Sequence, residues 1–137
     1  MKQLNVYFTF DGNAEKAMNF YAACLGGVIE FIQYFKDAPM ESEASQKDKV
    51  MHATLRAGDI VLMASDQMPG VPVVSGNQIS LSLSFDNEAD QTDTFNKLLE
   101  GGAVTMELQD TFWGARFGML TDQFGVNWMF NYDKPAS

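Results

Sequence analysis

The stretch that decides the fold is LNVYFTFDGNAEKAMNFYAACLGG, residues 4–27. Over residues 4–10 apolar side chains alternate with polar or mixed ones, and a period of two is typical of a strand with one buried face. After a short turn the apolar residues change to helical spacing, which predicts an amphipathic helix over Ala14–Leu25. The helix is expected to end at Gly26, because glycine tolerates the left-handed conformation found at helix C-termini.

A second stretch, ISLSLSFDNEADQTDTFNKLLEGG at residues 79–102, repeats this organisation. The matched positions share one offset of 75 residues: Phe10-Asp11 with Phe85-Asp86, Ala14 with Ala89, Phe20 with Phe95, and Gly26-Gly27 with Gly101-Gly102. A shared offset across strand, helix and helix end indicates a duplicated structural unit. The second copy predicts a strand over Ile79–Phe85 and a helix over Glu88–Glu100, and the asparagines before the two helices, Asn13 and Asn87, are candidate N-caps.

Three further strands are predicted after each helix: Val28–Phe35, Val50–Ala57 and Ile60–Ser65, then Val104–Gln109, Ala115–Thr121 and Val126–Tyr132. The predicted fold is α+β, with two βαβββ modules that form curved mixed sheets with the helices outside. The modules span residues 1–66 and 78–137, a linker covers 67–77, and together they are expected to form a single domain. The polar segment 37–49 is expected to be a mobile flap or surface loop.

Composition excludes several classes of function. The formal net charge of −9, with 18 acidic against 9 basic residues, argues against binding of nucleic acid or anionic membranes. No apolar run is long enough for a membrane span, and the N-terminus lacks the apolar core of a signal peptide. The single Cys24 makes no internal disulfide, and it is interpreted as a packing residue rather than a reactive thiol. We therefore expect a cytoplasmic protein.

The layout resembles the vicinal oxygen chelate superfamily, which includes glyoxalase I, bleomycin-resistance proteins and extradiol dioxygenases. Five segments are similar to its PhnB-like branch: FDGNAE (10–15) leading to Phe20-Tyr21, MHA (51–53), LMASD (62–66), TFWG with RFG (111–118), and DQFGVNW (122–128). The resemblance covers nearly the whole chain. It implies a pocket in each curved sheet, a homodimer in which two subunits complete a pocket, and in many members a divalent metal.

Carried over to this sequence, the metal ligands of the family would fall at four places: among Asn5, Val6 and Tyr7, at Leu62 or Ala64, at Gln78 or Ser80, and at Met129. Of these only Gln78 is a plausible donor. Divalent metals in such sites take imidazole or carboxylate ligands and usually need several of them from the protein. We therefore expect no metal and no other cofactor. The resulting prediction is a small-molecule-binding protein, and the alternative is a metal-dependent lyase, isomerase or dioxygenase-type enzyme with a non-standard site near His52 and Gln78.

The candidate ligand-binding residues are Tyr7, His52, Met63, Ser80, Ser82, Trp113, Arg116 and Met129. His52 is the only histidine and is predicted to share a strand face with Val50 and Thr54; a pocket position and a structural one are weighed equally. Trp113 and Arg116 form either a clamp for a flat or anionic ligand or a packed hairpin. Tyr7 and the serines either orient a ligand or meet water or a partner subunit. The strand methionines, Met63 and Met129 among them, are interpreted first as core and second as pocket lining.

Overall fold

The computed structural model describes residues 2–39 and 42–136. The chain divides into two compact units, Met1–Val74 and Ser75–Ser137, and the boundary falls inside the predicted linker 67–77. Each unit has one open four-stranded sheet and one 12-residue α-helix. The predicted α+β architecture of two βαβββ modules is confirmed. Among residues 2–39 and 42–136, no helix is long and apolar enough to cross a membrane.

Unit 1 contains β1 (Val6–Phe10), α1 (Ala14–Leu25), β2 (Val28–Tyr34), a 3₁₀ turn (Phe35–Asp37), β3 (Val50–Ala57) and β4 (Ile60–Asp66). Its sheet has the order β1-β4-β3-β2. The first strand pairs with the last in parallel, and the other neighbours are antiparallel. The sheet is therefore mixed, as predicted.

Unit 2 repeats this topology with β5 (Leu81–Phe85), α2 (Glu88–Leu99), β6 (Ala103–Asp110), β7 (Ala115–Thr121) and β8 (Asn127–Asp133). Its strand order is β5-β8-β7-β6, again with a parallel pair formed by the first and last strands. The 75-residue repeat in the sequence thus corresponds to a repeated topology.

Several predicted boundaries were wrong by one or two residues. The opening strands begin at Val6 and Leu81, because Leu4 and Ile79 are 97% and 76% exposed and lie outside the ladders. The second strand ends at Tyr34, and Phe35 turns into the 3₁₀ segment, where its ring is buried. Part of the predicted loop 37–49 is also packed, since Gln46 is buried and its Nε2 donates to the Gln67 carbonyl at 3.0 Å. Residues 40 and 41 of that loop lie outside the described residues.

The helix covers one face of each sheet. Tyr21 of α1 is fully buried against the rings of Phe8 and Phe10, at centroid distances of 5.5 and 6.5 Å. In unit 2 the Phe95 ring of α2 contacts Phe130 edge-on at 5.0 Å. Ala14, Ala17 and Met18 of α1 and Trp128 of β8 are buried as well, and Cys24 is buried as expected.

Both glycines of each Gly-Gly pair are required by the backbone. Gly26 and Gly101 have positive φ values of 69° and 75°, which side-chain-bearing residues rarely adopt. A Cβ atom on Gly27 would lie 2.7 Å from the Arg56 carbonyl oxygen, and one on Gly102 would lie 2.4 Å from that of Thr121. The first glycine therefore ends the helix, and the second lets the following strand start close to its neighbour.

The two helices begin with different capping contacts. Asp66 is 3% exposed; its Oδ1 accepts from Ala14 N at 2.9 Å and its Oδ2 from Val50 N at 2.8 Å. Asp66 thus caps α1, whereas the predicted cap Asn13 makes no side-chain cap bond. The other predicted N-cap, Asn87 before α2, is confirmed, because Asn87 Oδ1 accepts a hydrogen bond from Asp90 N at 2.8 Å.

Candidate functional site

The face of each sheet opposite its helix is open, and in unit 1 it carries a continuous row of side chains. Tyr7 is paired with Met63, Met63 with Thr54, and Thr54 with Phe31, across all four strands. Residues directly opposite in a ladder project from the same face. Tyr7 and Phe31, at the two ends of the row, are each 49% exposed. We call this row of four residues, together with His52, the unit 1 face.

His52 is held on this face by two hydroxyl groups. Its Nδ1 lies 3.0 Å from the Tyr7 hydroxyl and its Nε2 lies 3.2 Å from Thr54 Oγ1. The His52 ring also lies 5.6 Å from the Tyr7 ring and 6.0 Å from the Phe31 ring, measured between centroids. The structure therefore brings together three of the predicted site residues: Tyr7, His52 and Met63.

A cavity of about 400 Å³ adjoins the unit 1 face. Its lining includes Thr9 of β1 and Ser65 of β4. These two residues are paired with each other and form the next pair on the same face after Tyr7 and Met63. The remaining lining residues are Phe35, Met51, Asp66, Gln67, Met68 and Val71. None of the lining residues was among the predicted site residues, because the segment after β4 carries no sequence signal that it folds back beside the sheet.

The position of Met51 also corrects the predicted alternation along β3. Val50 was expected to lie with His52, but Val50 is buried while Met51 lines the cavity. The pairing of β2 with β3 shifts between Gln33 and Tyr34, so strict alternation fails there. A bulge of this kind has no marker in the local sequence.

In unit 2 the corresponding open face is rich in methionine. The register pairs Ser82 with Met129, Met129 with Met119, and Met119 with Met106. Trp113, in the turn before β7, is 59% exposed, and its ring lies 6.4 Å from that of Phe117. Ser80 is exposed and precedes β5 rather than lying in it.

Arg116 lies on the helix side of the unit 2 sheet, away from this row. Its NH1 donates to Gln91 Oε1 at 3.0 Å and to Thr92 Oγ1 at 2.8 Å, and its Nε lies 3.2 Å from Glu88 Oε1. All three partners belong to α2, and only 18% of the arginine side chain is exposed. Arg116 is thus packed against α2 and paired with Glu88, so the partners of its guanidinium group are protein side chains.

The strand methionines are not core residues, contrary to the first interpretation. Met51, Met63, Met119 and Met129 are partly exposed and Met106 is 39% exposed, whereas Met18 in α1 is fully buried. Helix-facing strand positions are filled instead by smaller or more rigid residues such as Ala53, Leu55 and Phe130. The open faces therefore carry flexible, polarisable thioethers.

The residues present do not fit the divalent metal that the family resemblance implies. Leu62 and Ala64 are buried on the helix side, so the open-face residue of β4 is Met63. The donors on this face are the phenol of Tyr7, the hydroxyl of Thr54 and a single imidazole, His52, whereas a divalent ion takes several imidazole or carboxylate ligands. In the part of the chain that the structure describes, no three His, Cys, Asp or Glu side chains are grouped to hold a metal ion.

One ionisable group beside α1 has a perturbed pKa. Tyr34 donates its hydroxyl hydrogen to Glu15 Oε2 at 2.8 Å. This hydrogen bond, with smaller contributions from burial and from the nearby negative charges, raises the pKa of Tyr34 above its ordinary value. Because its hydroxyl contacts Glu15 of α1, Tyr34 lies on the helix side of the unit 1 sheet and takes no part in the unit 1 face.

Comparison with known proteins places this geometry in a family. The sequence profile described as Glyoxalase/Bleomycin resistance protein/Dioxygenase superfamily matches residues 3–130. Protein YjdN of Escherichia coli K12 is 31% identical over 142 residues, covering 96% of this chain and 95% of its own.

Two solved structures show the same fold over nearly the whole chain. Protein PA1353 from Pseudomonas aeruginosa has a TM-score of 0.89 at 43% identity, covering 98% of this chain and 100% of its own. A Bacillus cereus PhnB protein, described as a putative 3-demethylubiquinone-9 3-methyltransferase, has a TM-score of 0.79 at 27% identity, with coverages of 96% and 99%. The resemblance to the PhnB-like branch is thereby confirmed. The chain belongs to the glyoxalase/bleomycin resistance protein/dioxygenase superfamily.

Proposed function

We propose that this protein binds a small molecule on the unit 1 face and that binding requires no metal ion. The observation that carries the proposal is the hydrogen-bonded chain Tyr7–His52–Thr54, which lies on an accessible sheet face rather than in the core. Polar groups placed among aromatic and apolar side chains are what fixes the orientation of a ligand in such sites.

The hydrogen-bonded chain defines which ligand group it recognises. A neutral imidazole has one N–H and one bare nitrogen, so one of the two hydroxyls donates to it and the other accepts from it. The accepting hydroxyl keeps its own hydrogen free for a ligand. The chain therefore presents a hydroxyl donor, which suits a carbonyl or carboxylate oxygen.

The surroundings define the rest of the ligand. Phe31 offers a half-exposed ring and Met63 a flexible thioether, which favour a flat apolar body. The adjoining cavity of about 400 Å³ lies within the range of small-molecule sites. We expect an aromatic or conjugated compound that carries an oxygen acceptor.

The other parts of the proposal extend this site. Ser82, Met129 and Trp113 on unit 2 would form a second apolar surface with hydroxyl donors at its edge, and the homodimer implied by the family would complete a pocket. We also propose a cytoplasmic location. Sedimentation equilibrium tests the dimer: we expect twice the monomer mass of 15.2 kDa, and a monomer at micromolar concentration would contradict it.

The enzyme alternative, a metal-dependent lyase, isomerase or dioxygenase, is less well supported. Both ring nitrogens of His52 already have hydroxyl partners, so a metal would have to displace Tyr7 or Thr54. Gln78 is exposed at a bend before β5 and lies in the other unit. Elemental analysis of the purified protein distinguishes the two: stoichiometric zinc, nickel, manganese or iron would overturn the metal-free proposal.

A thermal-shift screen tests the binding proposal directly. The probes are aromatic antibiotics, 2-oxo acids and phosphonates, and a true ligand raises the melting temperature in a dose-dependent way. We expect a hit whose shift is reduced at least threefold by Tyr7→Phe. The matched control is Tyr34→Phe, which removes the same hydroxyl from the helix side of the same sheet and should leave the shift unchanged. Equal loss in both variants would contradict the proposed site.

A further inference from the structure

Three methionines lie side by side on the open face of unit 2. Met106 on β6 is paired with Met119 on β7, which is paired with Met129 on β8. Met119 and Met129 are opposed in a regular stretch of ladder, so they project from the same face with Cβ atoms about 5 Å apart. The β6–β7 ladder shifts on either side of Met106, which remains the paired residue of Met119. The three thioethers therefore start from one line of adjacent positions, which we call the methionine row.

The side chains of the methionine row are long and flexible enough for their sulfur atoms to come together. A methionine side chain has three rotatable bonds, so the outer two can lean toward Met119 in the middle. Met106 is 39% exposed on an edge strand, and Met119 and Met129 are partly exposed, so none is locked in a packed core. Three sulfur atoms can thus approach a common point above β7.

Three thioether sulfur atoms at one point would favour a particular class of metal ion. Thioether sulfur is a soft, neutral ligand that selects soft ions such as copper(I) and discriminates against magnesium, calcium or manganese. Unit 2 contains nine acidic and three basic residues, so its overall charge favours a cation. No carboxylate or imidazole belongs to the row, which distinguishes it from the divalent site implied by the family.

Unit 1 provides an internal comparison. Its open face also carries a methionine, Met63, but the paired neighbours of Met63 are Tyr7 and Thr54. Met51 and Met68 line the adjoining cavity and are not paired with Met63 in the ladder, so Met63 has no paired methionine. The feature is therefore a property of unit 2 and not of the repeated fold.

We propose that Met106, Met119 and Met129 form a three-thioether site for a soft monovalent cation, copper(I) or silver(I). The ion binds in its closed-shell state, so the site needs no electron transfer and no second substrate. This proposal is independent of ligand binding on the unit 1 face.

Titration of the full chain with silver nitrate in chloride-free buffer tests the site, with methionine methyl groups labelled with ¹³C. Silver is a redox-inert probe for the same ligands. We expect the methyl signals of the methionine row to shift together and to saturate at one equivalent, while those of Met63 and Met18 stay in place. Leucine substitutions assign the signals and conserve side-chain volume.

The variant Met119→Leu should weaken silver binding at least tenfold, whereas Met63→Leu should have no effect. Met106→Leu on the edge strand gives a second test if the central substitution disturbs folding. Unchanged affinity in both Met106→Leu and Met119→Leu would overturn the proposal. Silver binding that leaves the three methyl signals in place, as binding at Cys24 would, also counts against it.

Discussion

The hydroxyl of Tyr7 lies 3.0 Å from Nδ1 of His52, although 45 residues separate them in the chain. Strand order explains the contact, because β4 lies between β1 and β3 and brings both side chains to one face. Neither residue faces the helix that covers the sheet. The pair is therefore placed where it can contact a ligand without opening the core.

The hydrogen-bonded chain can be tested by ¹⁵N NMR of the His52 ring, which gives a single set of signals because the protein has one histidine. We expect Tyr7→Phe to change the Nδ1 chemical shift and Thr54→Val to change mainly the Nε2 shift, since each removes the partner of one nitrogen. Tyr34→Phe should change neither. Identical ¹⁵N shifts in all variants would show that the two hydroxyls do not bind the ring.

Asp66 is predicted to be important for stability, because its two carboxylate oxygens accept from two backbone amides in a buried position. In Asp66→Asn one of these acceptors becomes an NH₂ group facing a donor. We expect the free energy of unfolding in urea to fall by about 2 kcal/mol. Asp59→Asn, in an exposed turn, is the control. A loss at Asp66 no larger than at Asp59 would contradict the assigned role.

Arg116 is predicted to stabilise unit 2 without affecting ligand binding. Arg116→Met removes hydrogen bonds to Gln91 and Thr92 and leaves their buried polar atoms with fewer partners. We expect a loss of about 1–3 kcal/mol in urea denaturation. Lys134→Met breaks a more exposed ion pair with Asp110 and should cost less than about 1 kcal/mol. If Arg116→Met abolished binding of a probe found in the thermal-shift screen while remaining folded, its assignment to the scaffold would be wrong.

Tyr34 gives a prediction about alkaline pH. Its pKa is raised by the hydrogen bond to Glu15, so the contribution of this bond to stability is present below the ordinary tyrosine pKa of about 10 and is lost as the pH rises through the raised value. In an ultraviolet titration, Tyr34→Phe should remove a high-pH ionisation. Glu15→Gln should lower its midpoint, and an unchanged midpoint would show that the carboxylate is not the cause.

Much of the fold could be predicted because the decisive patterns are local and occur twice. The alternation in each opening strand, the helical spacing after it and the Gly-Gly ending all depend on neighbouring residues. The helix cap shows the limit of this approach: Asn13 stands at the expected position, but Asp66 from a distant strand makes the bonds. Contacts between residues far apart in sequence leave no local pattern.

The site was only partly predictable for the same reason. The alternation in β1 and β3 predicts that Tyr7 and His52 share the polar face of the sheet, and both lie on the open face. The sequence does not predict which face of the unit 2 sheet carries Arg116, because this position depends on partners in α2. The bulge beside Met51 and the folding back of Val71 next to β4 depend on tertiary packing, so the cavity had no sequence signal.

The most direct test of the account is amide NMR of the ¹⁵N-labelled protein during titration with a probe identified in the thermal-shift screen. We predict that the largest chemical shift changes fall on Phe31, His52, Thr54 and Met63, and that Tyr7→Phe reduces the affinity at least threefold while Tyr34→Phe leaves it unchanged. Shift changes confined to α1 or to residues outside the unit 1 face, with equal affinity in both variants, would contradict the account.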